Sequence, residues 1–336
     1  MKGHRGGIGL FAGLLALGIM TGYARAQAVR APAPVVQSAA HQFDSGDYSG
    51  AISSLRQYLS QAGNDAEGQF WIGRCFYELQ DFSEAITAFE RAVQLDSQNS
   101  GYHEWLGRAY GMRALQEHSF FLARRVKKEL EEAVRLDPRN VLAHRDLEEY
   151  CIEAPWIIGG STDEAREQVD EIRSIDVVEG HLAAAEFYDK SMKKPDLAEN
   201  EYRLILEADP KRIDAYLESA NFFVNQKKPD KAQPFIDAAA TQSPTDPRLS
   251  YYRGVQLVLR NRESGPAEQY LKSYLASTPS RSEWPAHAAA REWLGKLYEA
   301  EGRRPQAAEQ YRAALQLDPE RRDAKAGLER LQKASN

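Results

Sequence analysis

Apolar residues recur along most of this chain at i, i+3, i+4 and i+7, the spacing of a helix with one buried stripe. The stripes are clearest in residues 69–97 and 288–319, and they come in pairs. Ile72-Gly73…Phe76…Ala85…Phe89…Ala92 returns as Leu294-Gly295…Tyr298…Ala307…Tyr311…Ala314 followed by Pro319. Weaker copies run through Ala220…Phe223…Ala232…Ile236…Ala239 and through Ala198…Tyr202…Ile205. The copies overlay at a period of about 34 residues, which marks a stacked array of helix pairs. Small residues at Ala85, Ala232 and Ala307 let a second helix approach the first.

Turn chemistry divides the stripes. Pro195, Pro229, Pro266 and Pro305 stand where a second helix begins, a position at which the missing N–H costs nothing. Pro138, Pro210, Pro244, Pro279 and Pro319 end those helices. Eight repeats follow, opening near Val36, Ala66, Ser100, Asn140, Val178, Ile213, Arg248 and Ala288. The segment 321–334 reads as a capping helix with Ala324, Leu328 and Leu331 on its inner side. The departures from regularity are specific. The first repeat has only Ala39 as a small residue in its first helix. Val255 stands in the seventh repeat where Gly or Ala is usual, so its helices are expected further apart. Inserted loops are expected near 113–122, with Phe120-Phe121, and near 154–161, with Trp156-Ile157-Ile158.

This pattern resembles the tetratricopeptide repeat across residues 36–319. The resemblance implies an all-α, right-handed superhelical solenoid whose concave groove is lined by first helices. Carried over from the family's groove positions, the lining residues are Phe70, Arg74 and Tyr77, then Glu104 and Arg108, Leu217 and Asn221, and Tyr252 and Gln256. Arg74 and Arg108 stand one repeat apart and could together grip a carboxylate; Glu104, four residues before Arg108, could equally pair with it inside the helix. Lysine and asparagine at fixed groove positions mark the peptide-clamp members of the family, and only Asn221 matches them here.

The first residues differ in kind. Lys2, His4 and Arg5 precede an uncharged apolar run from Ile8 to Met20, and Ala24-Arg25-Ala26 forms a small-x-small site, the order of a secretory signal peptide cut after Ala26. The rival reading is an uncleaved anchor, since the apolar stretch through Tyr23 approaches spanning length. Residues 27–35 are then a short linker, 36–320 the array and 321–336 the capping helix and tail. Cleavage would move the formal net charge from −6 to −9. An acidic chain without a basic block is poorly suited to nucleic acid or to anionic membrane surfaces. Cys75 and Cys151 fall two repeats apart. That separation exceeds the roughly 7 Å a disulfide tolerates between Cα atoms, so both are expected as buried free thiols.

No catalytic or metal-binding constellation emerges, and no cofactor is implied. His103-Glu104 lacks the second histidine of a zinc helix, and the remaining histidines have no ligand spacing. Gly159-Gly160-Ser161-Thr162 precedes a helix, but Ser161 and Glu164 form a capping box that uses the same N–H groups. The edge residues Phe120, Phe121, Trp156, Ile157 and Ile158 have two readings: an exposed partner site, or a satellite core with Trp156 folded back on the phenylalanines. The expectation for function is a non-catalytic scaffold of the bacterial cell envelope that binds a protein or peptide through its groove or inserted edge. The alternative is a periplasmic accessory of a transporter enclosing a small solute, with Phe70, Tyr77 and Tyr252 brought together as its lining.

Overall fold

The helices start where short polar side chains can accept the free N–H groups of a first turn. Asp47, Asp65, Asp81, Asn99, Ser119, Asn140, Ser161 and Asp176 each cap a helix this way. Later helices rely on proline in the first turn instead, at Pro195, Pro229 and Pro305. The computed structural model describes residues 33–261, 263–277 and 279–333. The expected signal peptide and most of the linker lie outside them.

Seventeen α-helices, no strands and two short helical turns occur among the described residues. The order is α1 (Pro34–Asp44), α2 (Tyr48–Ala62), α3 (Ala66–Glu78), α4 (Phe82–Leu95), α5 (Ser100–Glu117), α6 (Phe120–Leu136), α7 (Val141–Glu153) and α8 (Thr162–Ile175). Then come α9 (Val177–Glu186), α10 (Pro195–Ala208), α11 (Ile213–Asn225), α12 (Pro229–Gln242), α13 (Arg248–Leu259), α14 (Ser264–Ser277), α15 (His287–Ala300), α16 (Arg304–Leu317) and α17 (Arg322–Lys333). They form eight pairs and a final capping helix. Each helix packs on the next, and first helices also touch first helices, as α3 with α5 and α13 with α15.

Close approach within a pair is built by absent side chains. A Cβ on Gly73 would lie 2.6 Å from the Phe89 ring, and one on Gly295 would lie 2.6 Å from Tyr311. Phe89 and Tyr311 are fully buried beneath these glycines. The seventh pair corrects an expectation: Val255 does not separate α13 from α14, because Gly254 takes the crossing one residue earlier, 2.7 Å from Leu271 by the same measure. Between pairs one turn recurs. Asp96, Asp137, Asp246 and Asp318 each accept an N–H two residues on, at 2.9–3.1 Å.

The loop expected near 113–122 does not form. Its residues extend α5 and α6, leaving only His118 and Ser119 between them. Ala114, Leu115, Gln116 and Glu117 are strong helix formers, and Ser119 caps α6 through the Leu122 N–H at 3.3 Å. The second insertion is a loop, with Trp156–Ile158 in a single 3₁₀ turn.

Cys75 and Cys151 are both free and buried. Burial pushes each thiol up to about 12, and the thiolate is the reactive form. Reaction of the native protein with a disulfide reagent at pH 8 is therefore expected to be at least ~100-fold slower than in denaturant. Rapid native labelling of either thiol would show that its repeat opens.

Candidate functional site

The inserted edge is built by α5, α6, α7 and the turn after α7. The backbone of that turn is pinned from several sides. Tyr150 donates its hydroxyl to the Ile158 carbonyl at 2.6 Å, Lys127 reaches the Gly159 carbonyl at 3.0 Å, and the Ser161 N–H returns to Cys151 at 2.9 Å. Gly159 has φ +106°, a conformation other residues resist. Gly160 leaves no room for a Cβ, which would fall 1.7 Å from the Ala154 carbonyl oxygen. Of the expected capping box one half forms: Ser161 accepts the Glu164 N–H at 3.2 Å. The Glu164 carboxylate pairs with Lys127 at 2.5 Å.

On this fixed backbone Trp156 is 84% exposed and Ile157 58% exposed. Trp156 is therefore not folded back into a satellite core. Phe120 and Phe121, the first residues of α6, are also exposed, as is Leu115 at the end of α5. Ile158 is half-buried and helps line a cleft of about 490 Å³ with Met112, Leu115, Phe120, Tyr150 and Pro155. Tyr77, Arg108 and Asp146 line it too, so the cleft connects the edge with first-helix residues.

The groove residues fare unevenly. Glu104, Leu217, Tyr252 and Gln256 are buried and offer no open surface. Tyr252 stands edge-on to Tyr251 with ring centroids 5.2 Å apart, and Gln256 donates to the Pro229 carbonyl at 2.9 Å. Neighbouring helices have taken these positions as packing. Asn221 is half-buried. Phe70 packs on Tyr102, with centroids 5.0 Å apart. Phe70 and Tyr77 pack on one core cluster and Tyr252 belongs to another.

Arg108 pairs with Glu104 inside its helix at 3.4 Å, but its shortest contact is to Asp146 of the next repeat at 2.5 Å. Burial opposes the Arg108 charge, yet these carboxylates outweigh it and hold the guanidinium above its ordinary range. Arg74 lies 3.7 Å over the Trp105 ring and within 4.9–5.9 Å of Phe43, Trp71 and Phe70. Its Nε is buried with no hydrogen-bond partner, and burial lowers its basicity. The missed feature is the set of contacts that residues 279–285 make across the repeats to this region, including Glu283 at 3.7 Å from Arg108.

His103 and His144 act as internal ties. His103 bonds Glu129 at 2.7 Å and the Ser97 carbonyl at 3.3 Å, while His144 bonds Gln168 at 2.7 Å and the Pro138 carbonyl at 3.1 Å. Among the described residues no group of three or more His, Cys, Asp or Glu is placed to hold a metal. No described helix is long and apolar enough to cross a membrane.

Paired helices stacked in one direction, with small residues at each crossing, define a helical-repeat solenoid, a class that presents extended surfaces to other proteins. The tetratricopeptide repeat family matches residues 38–100 and 252–322. Tetratricopeptide repeats are thus recognised near both ends of the chain, with helix pairs of the same construction between them. Similar solved structures include a thermophilic TPR protein from Thermus thermophilus, 22% identical over 56% of this chain and 96% of that one, with a TM-score of 0.46. A tetratricopeptide repeat protein from Parabacteroides merdae is 14% identical over 89% of this chain and 97% of that one, TM-score 0.44. The C-terminal part of a TPR repeat-containing protein from Cytophaga hutchinsonii is 16% identical over 87% and 99%, TM-score 0.41. No curated protein matches the sequence.

Proposed function

We propose that this protein is a non-catalytic scaffold that docks a partner protein on its inserted edge. The observation that supports this reading is Trp156, held 84% exposed on a turn whose own backbone is tied down. Exposing a tryptophan and an adjoining isoleucine forgoes burial worth about 1.5–3 kcal/mol per large side chain. Rigid aromatic anchors beside an apolar cleft are the groups that dominate protein interfaces. Leu115, Phe120 and Phe121 extend the same apolar surface, and large exposed patches of this kind mark interaction sites. The setting we propose is the cell envelope. This rests on the charged start, apolar run and Ala24-Arg25-Ala26 site of the sequence.

The test is capture from an envelope extract with residues 27–336 and with the double variant Trp156→Ala, Ile157→Ser. Both side chains are exposed, so the thermal midpoint is expected to be unchanged. Affinity for the captured partner is expected to fall by ~30-fold or more, the effect of losing one interface hot spot. Undiminished binding by the folded variant would remove the edge as the docking site.

A further inference from the structure

The segment 279–285 joins α14 to α15, yet its contacts reach repeats more than two hundred residues earlier. The Tyr48 hydroxyl donates to the Ser280 carbonyl at 2.8 Å. Arg281 donates to the Asp44 carbonyl and lies 3.6 Å from its carboxylate. Ser282 donates its N–H and its hydroxyl to the two Glu78 oxygens, at 2.7 and 2.8 Å. Pro279 rests on Gly46, at φ +82°, where an added Cβ would lie 2.7 Å from the proline's own. Trp284 is held by Arg281 at 4.7 Å and Arg248 at 5.4 Å. Behind it, Tyr274 donates to the Pro285 carbonyl at 2.5 Å.

The strap carries its one acid, Glu283, to the two arginines that stack on Trp105. Arg108 lies 4.7 Å over that ring and Arg74 3.7 Å. Arg108 already has Asp146, whereas no hydrogen bond or ion pair reaches Arg74 among the described residues. The charges of Glu283, Glu78 and Glu104 favour the Arg74 guanidinium without bonding to it, and a guanidinium among four aromatic rings can still accept a carboxylate. Glu283 approaches the pair only loosely: its carboxylate stands 3.7 Å from Arg108 and its side chain is 60% exposed.

We propose that residues 279–285 form an internal latch seated at the Arg74–Arg108 carboxylate site, and that an extended acidic peptide segment of a partner displaces it. The contacts suit release, since most are polar groups near solvent that exchange for water at little net cost. Being part of the same chain, the latch holds the site at high effective concentration, so a partner must compete with it. Arg108 also lines the cleft beside the inserted edge, but the variants below leave Trp156 and Ile157 untouched, so failure of the latch is distinguishable from failure of docking at that edge.

The probe is a fluorescent peptide, Ser-Arg-Ser-Glu-Trp-Pro, corresponding to residues 280–285, with a control peptide carrying Gln for Glu. An open variant, Arg281→Gln, Ser282→Gly, Glu283→Gln, alters only the strap and leaves Arg74 and Arg108 in place. The open variant is expected to bind the peptide at least tenfold tighter than the wild-type chain in fluorescence anisotropy. The Gln control peptide, and Arg74→Gln introduced into the open variant, should each remove that gain. Equal affinity of wild type and open variant would overturn the latch. Equal binding of the Glu and Gln peptides, or no saturable binding to the folded open variant, would overturn the carboxylate site.

Discussion

Phe89→Ala is expected to destabilise the array by ~3–5 kcal/mol, the range for deleting a fully buried aromatic ring. The ring lies under Gly73, where an added Cβ would stand 2.6 Å away, and its centroid is 5.8 Å from Phe70 and 6.2 Å from Trp105. Two helices whose crossing is set by Gly73 and by the fully buried Ala85 cannot close further onto the vacated space. The cavity therefore persists, and its cost adds to the lost transfer energy. Stability in a repeat array passes between neighbours. Amide exchange should accordingly accelerate most in α3–α6 and least towards α16. Leu317→Ala, at a half-exposed position outside the core, is the matched control and should change the denaturation midpoint little. A loss below ~1 kcal/mol at Phe89 would mean that α3 and α4 slide together after all.

That pair also shows why the fold was legible in the sequence. Gly73 and Phe89, like Gly295 and Tyr311, sit sixteen residues apart and encode one local contact, so a short window holds the whole instruction. Prolines and capping residues then mark where each helix starts and stops. The misreadings arose where local signals competed. At 113–122 the extra residues suggested a loop, but good helix formers and the Ser119 cap let two longer helices meet in a two-residue turn. At Val255 the small residue had shifted by one position to Gly254, which a rigid alignment of repeats misses.

The candidate sites were less legible, for a different reason. Family groove positions describe an open array, whereas Leu217, Tyr252 and Gln256 are covered by adjacent helices. Whether a groove position is open depends on the neighbours' side chains, which the periodicity does not report. Trp156 could be placed on the edge from sequence, but its exposure follows from hydrogen bonds made by Tyr150, Lys127 and Ser161 to its own turn. The strap was invisible at the sequence level. Tyr48 with Ser280 and Glu78 with Ser282 are 232 and 204 residues apart, and nothing in either stretch announces the other.

A buried acid in the fourth repeat gives the second large effect, of opposite sign. Glu148 is fully buried on α7, and neither carboxylate oxygen has a hydrogen-bond partner among the described residues. The nearby cations are already engaged. Arg145 pairs with Glu179, Glu186 and Glu218 at 2.8–3.2 Å, and Lys190 with Glu149, Glu153 and Glu186 at 2.7–3.4 Å. Burial, and then the charge of Glu186, push the Glu148 carboxyl up to about 9; Glu149 and Glu218 act in the same direction and Arg145 opposes them. Below an ordinary carboxyl pKa both folded and unfolded chains carry the proton, and Glu148 costs nothing in ionisation. From there up to pH 9 the folded chain keeps a proton that the unfolded chain has lost, so stability falls by about 1.4 kcal/mol per pH unit. The accumulated cost at pH 7 is roughly 3 kcal/mol. Glu148→Gln removes the ionisation and keeps the shape. It is expected to raise stability by roughly 3 kcal/mol at pH 7 and by roughly 5–6 kcal/mol at pH 9, with almost no change at pH 4.5. Glu186, which burial pushes up but Arg145 and Lys190 hold below its usual range, contributes in the reverse sense and loses its contribution only as pH falls further. Denaturant midpoints of the two proteins at pH 4.5, 7 and 9 therefore isolate Glu148. Midpoints differing by the same amount at all three would show that its carboxyl titrates in the ordinary range and that water reaches the centre of the fourth repeat.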